Sequence, residues 1–179
     1  TQMVPTHLHR VLRLPAEVSR GYDLSSLTHV LVAGAPFGAE AKKNVMELLG
    51  PVVWEYLAAT EGIVAIASPA DAAAHPGTVG KPAVPIKILD ADGNPVPTGE
   101  SGTIYFGLPT PFEYRNDPVK TAAAVTTDGY ATAGDLGRLD EDGYLYLLDR
   151  RDDLIISGGV NIYPAEVEQR LILHRAVAD

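Results

Sequence analysis

With 179 residues, a formal net charge of −9, 46% hydrophobic and 21% charged residues and no cysteine, the chain has a globular composition, not a disordered or membrane-spanning one. The acidic residues are spread along its length, which argues against a nucleic-acid partner, since polyanion affinity rests on Lys and Arg neutralising phosphates; a single nucleotide needs only a few local donors. Zero cysteine excludes disulfides and thiolate metal sites and fits a reducing cytoplasm; no apolar run approaches the roughly 20 residues of a membrane helix, and no basic-then-apolar leader pattern opens the chain.

In chain order, Met3-Val4 reads as a strand end and Pro5 as a helix start, with Leu8, Val11 and Leu12 on one apolar face. Residues 29–33 form a buried strand ending at Gly34-Ala35-Pro36. A helix follows over 38–49, with Ala41, Val45, Leu48 and Leu49 on its stripe and Gly50 to stop it. Residues 52–57 form the next strand, Ala58-Ala59-Thr60-Glu61-Gly62 a loop, and 63–66 another strand. The strand–helix–strand alternation predicts an α/β fold with a parallel sheet and ligands outside the carboxyl ends of its strands. Both Gly34-Ala35-Pro36 and Thr60-Glu61 lie at such ends. The alanine-rich stretch 69–76 is expected to be a loop.

From Gly77 on, short strands alternate with turns. Strands are expected at 85–89 and 102–106, a turn at Asp90-Ala91-Asp92-Gly93, and one helix at 118–124. Asp140-Glu141-Asp142-Gly143 turns a hairpin into a strand at 144–148. The charged run 149–153 leads to a strand at 154–157, the pair Gly158-Gly159 and a helix opened by Pro164. The division expected is an α/β lobe over 1–75, a β-rich, barrel-like subdomain over 76–150, and a hinge with the start of a further domain over 151–179. Gly77-Thr78-Val79-Gly80-Lys81 looks like a phosphate loop, but His75 stands where that motif needs glycine and Pro82 where it needs Ser or Thr. The five histidines show no metal-ligand spacing.

The stretch from Asp128 to Glu168 resembles the signature of the adenylate-forming superfamily, G-[WY]-x-x-T-G-D followed by D-R-x-D-D-x-I-x-x-x-G-x-x-x-x-P-x-E-[IV]-E, at nearly every fixed position. The resemblance implies part of an acyl-CoA synthetase fold, of the fatty-acyl branch, covering the middle of the family's length. It also implies ATP, Mg2+ and CoA as substrates or cofactors, and small molecules in place of a macromolecular partner. On the matching positions, Asp135 is expected to accept the ribose hydroxyls and Arg150 to bind ribose and phosphate oxygens. Thr60 is expected to contact phosphate, Glu61 to hold magnesium, and the Gly34-Ala35-Pro36 backbone to lie along the adenine. Leu57 and Ala58 replace the aromatic residue and glycine of the family's Y-G-x-T-E motif, which leaves neighbouring Tyr56 as the candidate adenine wall. Ala133 replaces the threonine of T-G-D. Asp152 matches the hinge, and Gly158 and Gly159 the strand edge closing the CoA channel. Taken singly, these are a solvated turn, a strand-to-helix turn and a surface ion-pair cluster; the downstream signature is what favours function.

The family's lysine-bearing phosphate loop and its late catalytic lysine have no counterpart among Lys42, Lys43, Lys81, Lys87 and Lys120. The isolated chain is therefore expected to be inactive and to self-associate through exposed core. An acyl-AMP ligase loading a carrier protein, or a non-catalytic remnant binding nucleotide or a partner, are the alternatives.

Overall fold

The computed structural model describes residues 1–19, 21–59, 62–107, 113–174 and 176–177. β1 (Gln2–Met3) runs into α1 (Pro5–Leu12), where Pro5 takes a first-turn position whose amide no helix uses, and Leu8 is fully buried. After α2 (Ala16–Ser19) come β2 (Val30–Val32), α3 (Ala39–Leu49) and β3 (Val53–Ala59). β1, β2 and β3 pair in parallel, with Val30 opposite Val53 and Val32 opposite Glu55, as the alternation predicts. Gly50 stops α3 with φ +83°, its amide donating to the Met46 carbonyl.

The sheet expected to be parallel is parallel over β1–β3 and antiparallel beyond. β4 (Gly62–Ala67) runs antiparallel to β3, and Ala58, Ala59 and Gly62, read from the sequence as loop, belong to the ladder. Only Thr60 and Glu61, both outside the described residues, separate the strands, whereas a parallel crossover needs roughly a dozen residues. The alanine-rich stretch is also not a loop. It forms α4 (Pro69–Ala74), held by a capping box in which the Ser68 hydroxyl accepts from the Asp71 amide and the Asp71 carboxylate accepts from the Ser68 amide. β5 (Lys81–Pro82) pairs antiparallel with β4 and completes a sheet of order β1-β2-β3-β4-β5.

The second sheet is antiparallel throughout: β6 (Ile86–Leu89), β7 (Gly102–Gly107), β8 (Tyr130–Ala131), β9 (Asp135–Leu139) and β10 (Leu145–Arg150), in the order β10-β9-β7-β6 with β8 beside β7. Two of its turns use the same device. Asp90 Oδ1 accepts from the Asp92 and Asn94 amides at 2.9 and 2.8 Å, and Asp140 Oδ1 from those of Asp142 and Tyr144 at 3.1 and 2.8 Å. α5 (Pro118–Ala124) matches its expected span, with the Asp117 carboxylate accepting from the Lys120 amide. Beyond β10, a 3-10 turn (Arg151–Asp153) leads to the hairpin β11 (Ile155–Ser157) and β12 (Val160–Ile162), then α6 (Pro164–Leu171).

One core lies between α1, α3 and the first sheet, built on Leu8, Val30, Val32, Phe37, Val45 and Val53. A second joins the two sheets through Val64, Val79, Ile88, Ile104, Phe106 and Leu145. The phosphate-loop look-alike is the splice between the sheets: the Val79 amide donates to the Leu145 carbonyl and the Leu145 amide to the Gly80 carbonyl, both at 2.9 Å. Among the described residues, no element covers the other face of the first sheet. Leu31, Ile63 and Ile66 are 40–46% exposed there and, with Trp54 and Tyr56, line an apolar groove of about 400 Å3.

A polar clip ties α4 to the β9–β10 hairpin. The Tyr144 hydroxyl donates to Asp71 Oδ1 at 2.8 Å, Tyr146 donates to Asp140 Oδ2 at 3.1 Å, and the His75 ring stacks on Tyr144. Burial works against both carboxylates, but bonds from Ser68 and Tyr144 hold Asp71 below its ordinary value, and bonds from Tyr144, Tyr146 and Asp142 do the same for Asp140. A depressed folded pKa gives stability above the unfolded pKa, about 4, that is lost as pH falls through the folded value. Thermal melts are therefore expected to show Tm falling below about pH 4, and the gap between wild type and Asp71→Asn closing over the same range. A gap that holds constant down to pH 2 would contradict this.

Candidate nucleotide site

The β9–β10 ladder sets Asp135 directly opposite Arg150. Arg150 Nε lies 3.1 Å from Asp135 Oδ1, and Arg150 Nη1 donates to the Ala133 carbonyl at 2.8 Å. The next amide, Arg151, donates to the Gly134 carbonyl at 2.8 Å, so the Ala133-Gly134-Asp135 turn is held along its length by the start of the following segment. Asp135 is largely buried and Arg150 mostly exposed. Burial pushes the Asp135 carboxyl up, and the Arg150 guanidinium only partly opposes it. A guanidinium fork beside a shielded carboxylate can present donors and an acceptor to one polyhydroxylated, phosphorylated ligand.

Other predicted residues converge in part. Leu57 and Ala59 of β3 and Ala133 of the turn pack against the same inter-sheet core. Thr60 and Glu61, next in the chain, lie outside the described residues. Gly34, Ala35 and Pro36 stand at the carboxyl end of β2, the same sheet end as Ala59, because β2 and β3 are parallel. Ala35 and Pro36 face a cavity of about 1160 Å3 between the start of α3 and α6, whose lining does not include Asp135 or Arg150. Tyr56 does not share the face of Leu57: it lines the open groove, its hydroxyl 2.6 Å from Gln2 Nε2, while Leu57 packs into the inter-sheet core.

Asp152 is 92% exposed in the 3-10 turn, 3.7 Å from Arg151 Nε. Gly158 and Gly159 form the β11–β12 turn with φ +58° and +83°, and nothing lies within 4 Å of where a Cβ would stand at either. A two-residue hairpin turn needs this backbone conformation, so conformation and not space calls for glycine in this arrangement. Among the described residues no group of three or more His, Cys, Asp or Glu could hold a metal ion.

Sequence reasoning missed two contacts that place the C-terminal elements. Asp149 Oδ2 accepts from the Ala165 amide at 3.0 Å, capping α6 from the end of β10, and the Ser101 and Tyr163 hydroxyls lie 3.1 Å apart. The aspartate beside Arg150 therefore holds a helix here. Its position in the D-R pair was the visible signal, but the partner is 16 residues away.

The two sheets joined by the buried splice have the fold of the adenylate-forming enzymes over the part this chain spans. The chain matches the family of AMP-binding enzymes over residues 1–113 and belongs to that family; these residues do not overlap the 128–168 signature. It is 37% identical over 166 residues to the mitochondrial acyl-coenzyme A synthetase ACSM4 of Mus musculus, covering 88% of this chain and 28% of that protein. To the 2-succinylbenzoate–CoA ligase of Bacillus velezensis it is 40% identical over 158 residues, covering 86% and 32%. The solved structure of the amide bond synthetase McbA from Marinactinospora thermotolerans superposes with a TM-score of 0.85 at 33% identity, over 97% of this chain and 36% of that one. The chain thus spans about a third of the length of these relatives.

Proposed function

We propose that the chain is the nucleotide-binding middle portion of an AMP-forming acyl-CoA ligase. The Asp135–Arg150 pair supports this reading most directly, because both residues stand at the matching motif positions and meet across one strand pair. Asp135 accepts the ribose hydroxyls, Arg150 donates to ribose and phosphate oxygens, and the Gly34-Ala35-Pro36 backbone lies along the adenine, with Leu57, which stands at the family's aromatic position, beside it in place of Tyr56 on the opposite face. Thr60 contacts phosphate, and Glu61 would hold the magnesium that neutralises phosphate charge. In the parent reaction a carboxylate oxygen attacks the α-phosphorus of ATP and pyrophosphate leaves. The CoA thiolate then attacks the acyl carbonyl, and AMP leaves with the bonding pair. Asp152 serves as the hinge between the two half-reactions, and Gly158-Gly159 borders the thiol's path.

A fatty acid is the proposed carboxylate, on the resemblance to the fatty-acyl branch and the likeness to proteins named acyl-coenzyme A synthetases. A cytoplasmic location goes with it on the cysteine-free composition; no described helix is long and apolar enough to cross a membrane. The open face of the first sheet supports self-association of the isolated chain.

Binding and catalysis are expected to separate. Adenine and ribose contacts stabilise ground and transition states alike, whereas acceleration needs cations at the developing charge, and no lysine follows Lys120 in these residues. The 179-residue protein should bind AMP yet show no ATP–pyrophosphate exchange with a panel of fatty and aromatic acids beyond that of Glu61→Ala. Failure to bind AMP would overturn the nucleotide reading, and carboxylate-dependent exchange would overturn the separation.

A further inference from the structure

Three buried polar residues far along the chain from one another form a network that the nucleotide site does not use. Lys42 on α3 and Glu55 on β3 are 2% and 5% exposed and form an ion pair closed off from solvent. Lys42 Nζ also donates to the Thr78 carbonyl at 2.9 Å. Thr78, fully buried, extends the path: its hydroxyl donates to the Leu145 carbonyl at 2.8 Å and accepts from the Gly80 amide at 2.9 Å. A continuous line of polar contacts therefore joins α3, β3, the 78–80 splice and β10.

Each element on that line carries part of the proposed site. α3 begins three residues after Pro36, β3 ends at Ala59 just before Thr60-Glu61, and β10 ends at Arg150 opposite Asp135. Stability alone is a poor reason for such a network. A buried ion pair pays desolvation on both charges, and apolar residues of similar volume often replace it with no loss. Directional bonds in a dry interior do what apolar packing cannot: they fix the distance and rotation of the elements they join. We propose that Lys42, Glu55 and Thr78 are positioning residues that set the Gly34–Pro36 loop, the end of β3 and the Asp135–Arg150 pair in mutual register. This role rests on the nucleotide reading above.

Lys42→Met/Glu55→Leu removes both charges while keeping volume. In this variant Tm should stay within a few degrees of wild type. Amide hydrogen exchange at Ala58, Ala59, Gly134 and Asp135 should rise about tenfold, and the Kd for AMP should rise by a similar factor. Lys42→Met alone, which strands the Glu55 carboxylate, should lose stability. If the double variant does not fold, Glu55→Gln, which keeps shape and an acceptor for Lys42, takes the same measurements with smaller shifts in the same direction. Unchanged exchange at those four amides overturns the proposal whether or not AMP binds. Raised exchange with an unchanged Kd for AMP, in a protein whose binding Asp135→Asn weakens, also overturns it. Raised exchange in a protein whose wild type does not bind AMP, or binds it regardless of Asp135, sinks the nucleotide reading and leaves the network as the device that orders these segments.

Discussion

Gly80→Ala is expected to abolish cooperative folding. Gly80 has φ +101°, in the region L side chains rarely adopt, and a Cβ there would overlap the Ile66 carbonyl group and the Ala67 amide. Those atoms are backbone of β4, so no rotamer change relieves the overlap. Either β4 leaves β5, or Gly80 gives up its bonds to Leu145 and Thr78, and both routes open the splice between the sheets. Positive-φ strain of about 1–2 kcal/mol adds to a backbone clash of the kind that puts a substitution beyond about 4 kcal/mol. Domains of this size are stable by only about 5–15 kcal/mol. Gly50→Ala is the control: φ is +83°, nothing lies within 4 Å of the added methyl, and the strain alone is expected. Circular dichroism melts should show a lowered but cooperative transition for Gly50→Ala and none for Gly80→Ala. A near-wild-type melt for Gly80→Ala would mean that the splice is built differently.

Asp135→Asn should weaken AMP binding by about 30- to 100-fold while leaving the protein as stable as wild type, or more so, at pH 7. Hydrogen bonds to a charged group contribute about 1.5–3 kcal/mol each, and an asparagine cannot accept from both ribose hydroxyls with equal strength. The stability sign follows from burial. Its folded pKa is raised, so Asp135 favours the folded state below the unfolded pKa, and this contribution is lost as pH rises through the folded value. At neutral pH the shielded charge is a cost, and the partner that offsets it, Arg150, is mostly exposed and contributes little. Asparagine removes that cost. Calorimetric titration and thermal melts of the two proteins supply both numbers. A Tm loss of more than a few degrees with unchanged AMP affinity would make Asp135 a structural residue.

What the sequence revealed was local. Pro5, Pro118 and Pro164 open helices, Gly50 closes one, and the two Asp-x-Asp-Gly turns bond within five residues, so each signal sits beside its effect. The Ser68-x-x-Asp71 cap was equally local and was hidden behind the alanine run it starts. The direction of β4 followed from the length of the 60–61 connection, a geometric limit that strand–helix alternation does not express. Gly80 and Lys42 were out of reach for a different reason. The first is required by the backbone of Ile66 and the second is buried by Glu55 and Thr78, and none of these is a sequence neighbour. For the site, motif spacing pointed to Asp135 and Arg150 before their contact was visible. That Tyr56 and Leu57 face opposite sides of β3 appears only once the sheet and its two cores are in place.

The nucleotide reading is tested most directly by mapping AMP onto the protein through backbone amide chemical shifts. Titrating the 15N-labelled 179-residue chain with AMP should move Gly34, Ala35, Gly134, Asp135, Leu136 and Arg150 together along one saturable isotherm. Asp135→Asn should shift that isotherm to higher AMP concentration. Shifts confined to other surfaces, or none up to millimolar AMP, would contradict the assignment of this strand pair as the nucleotide site.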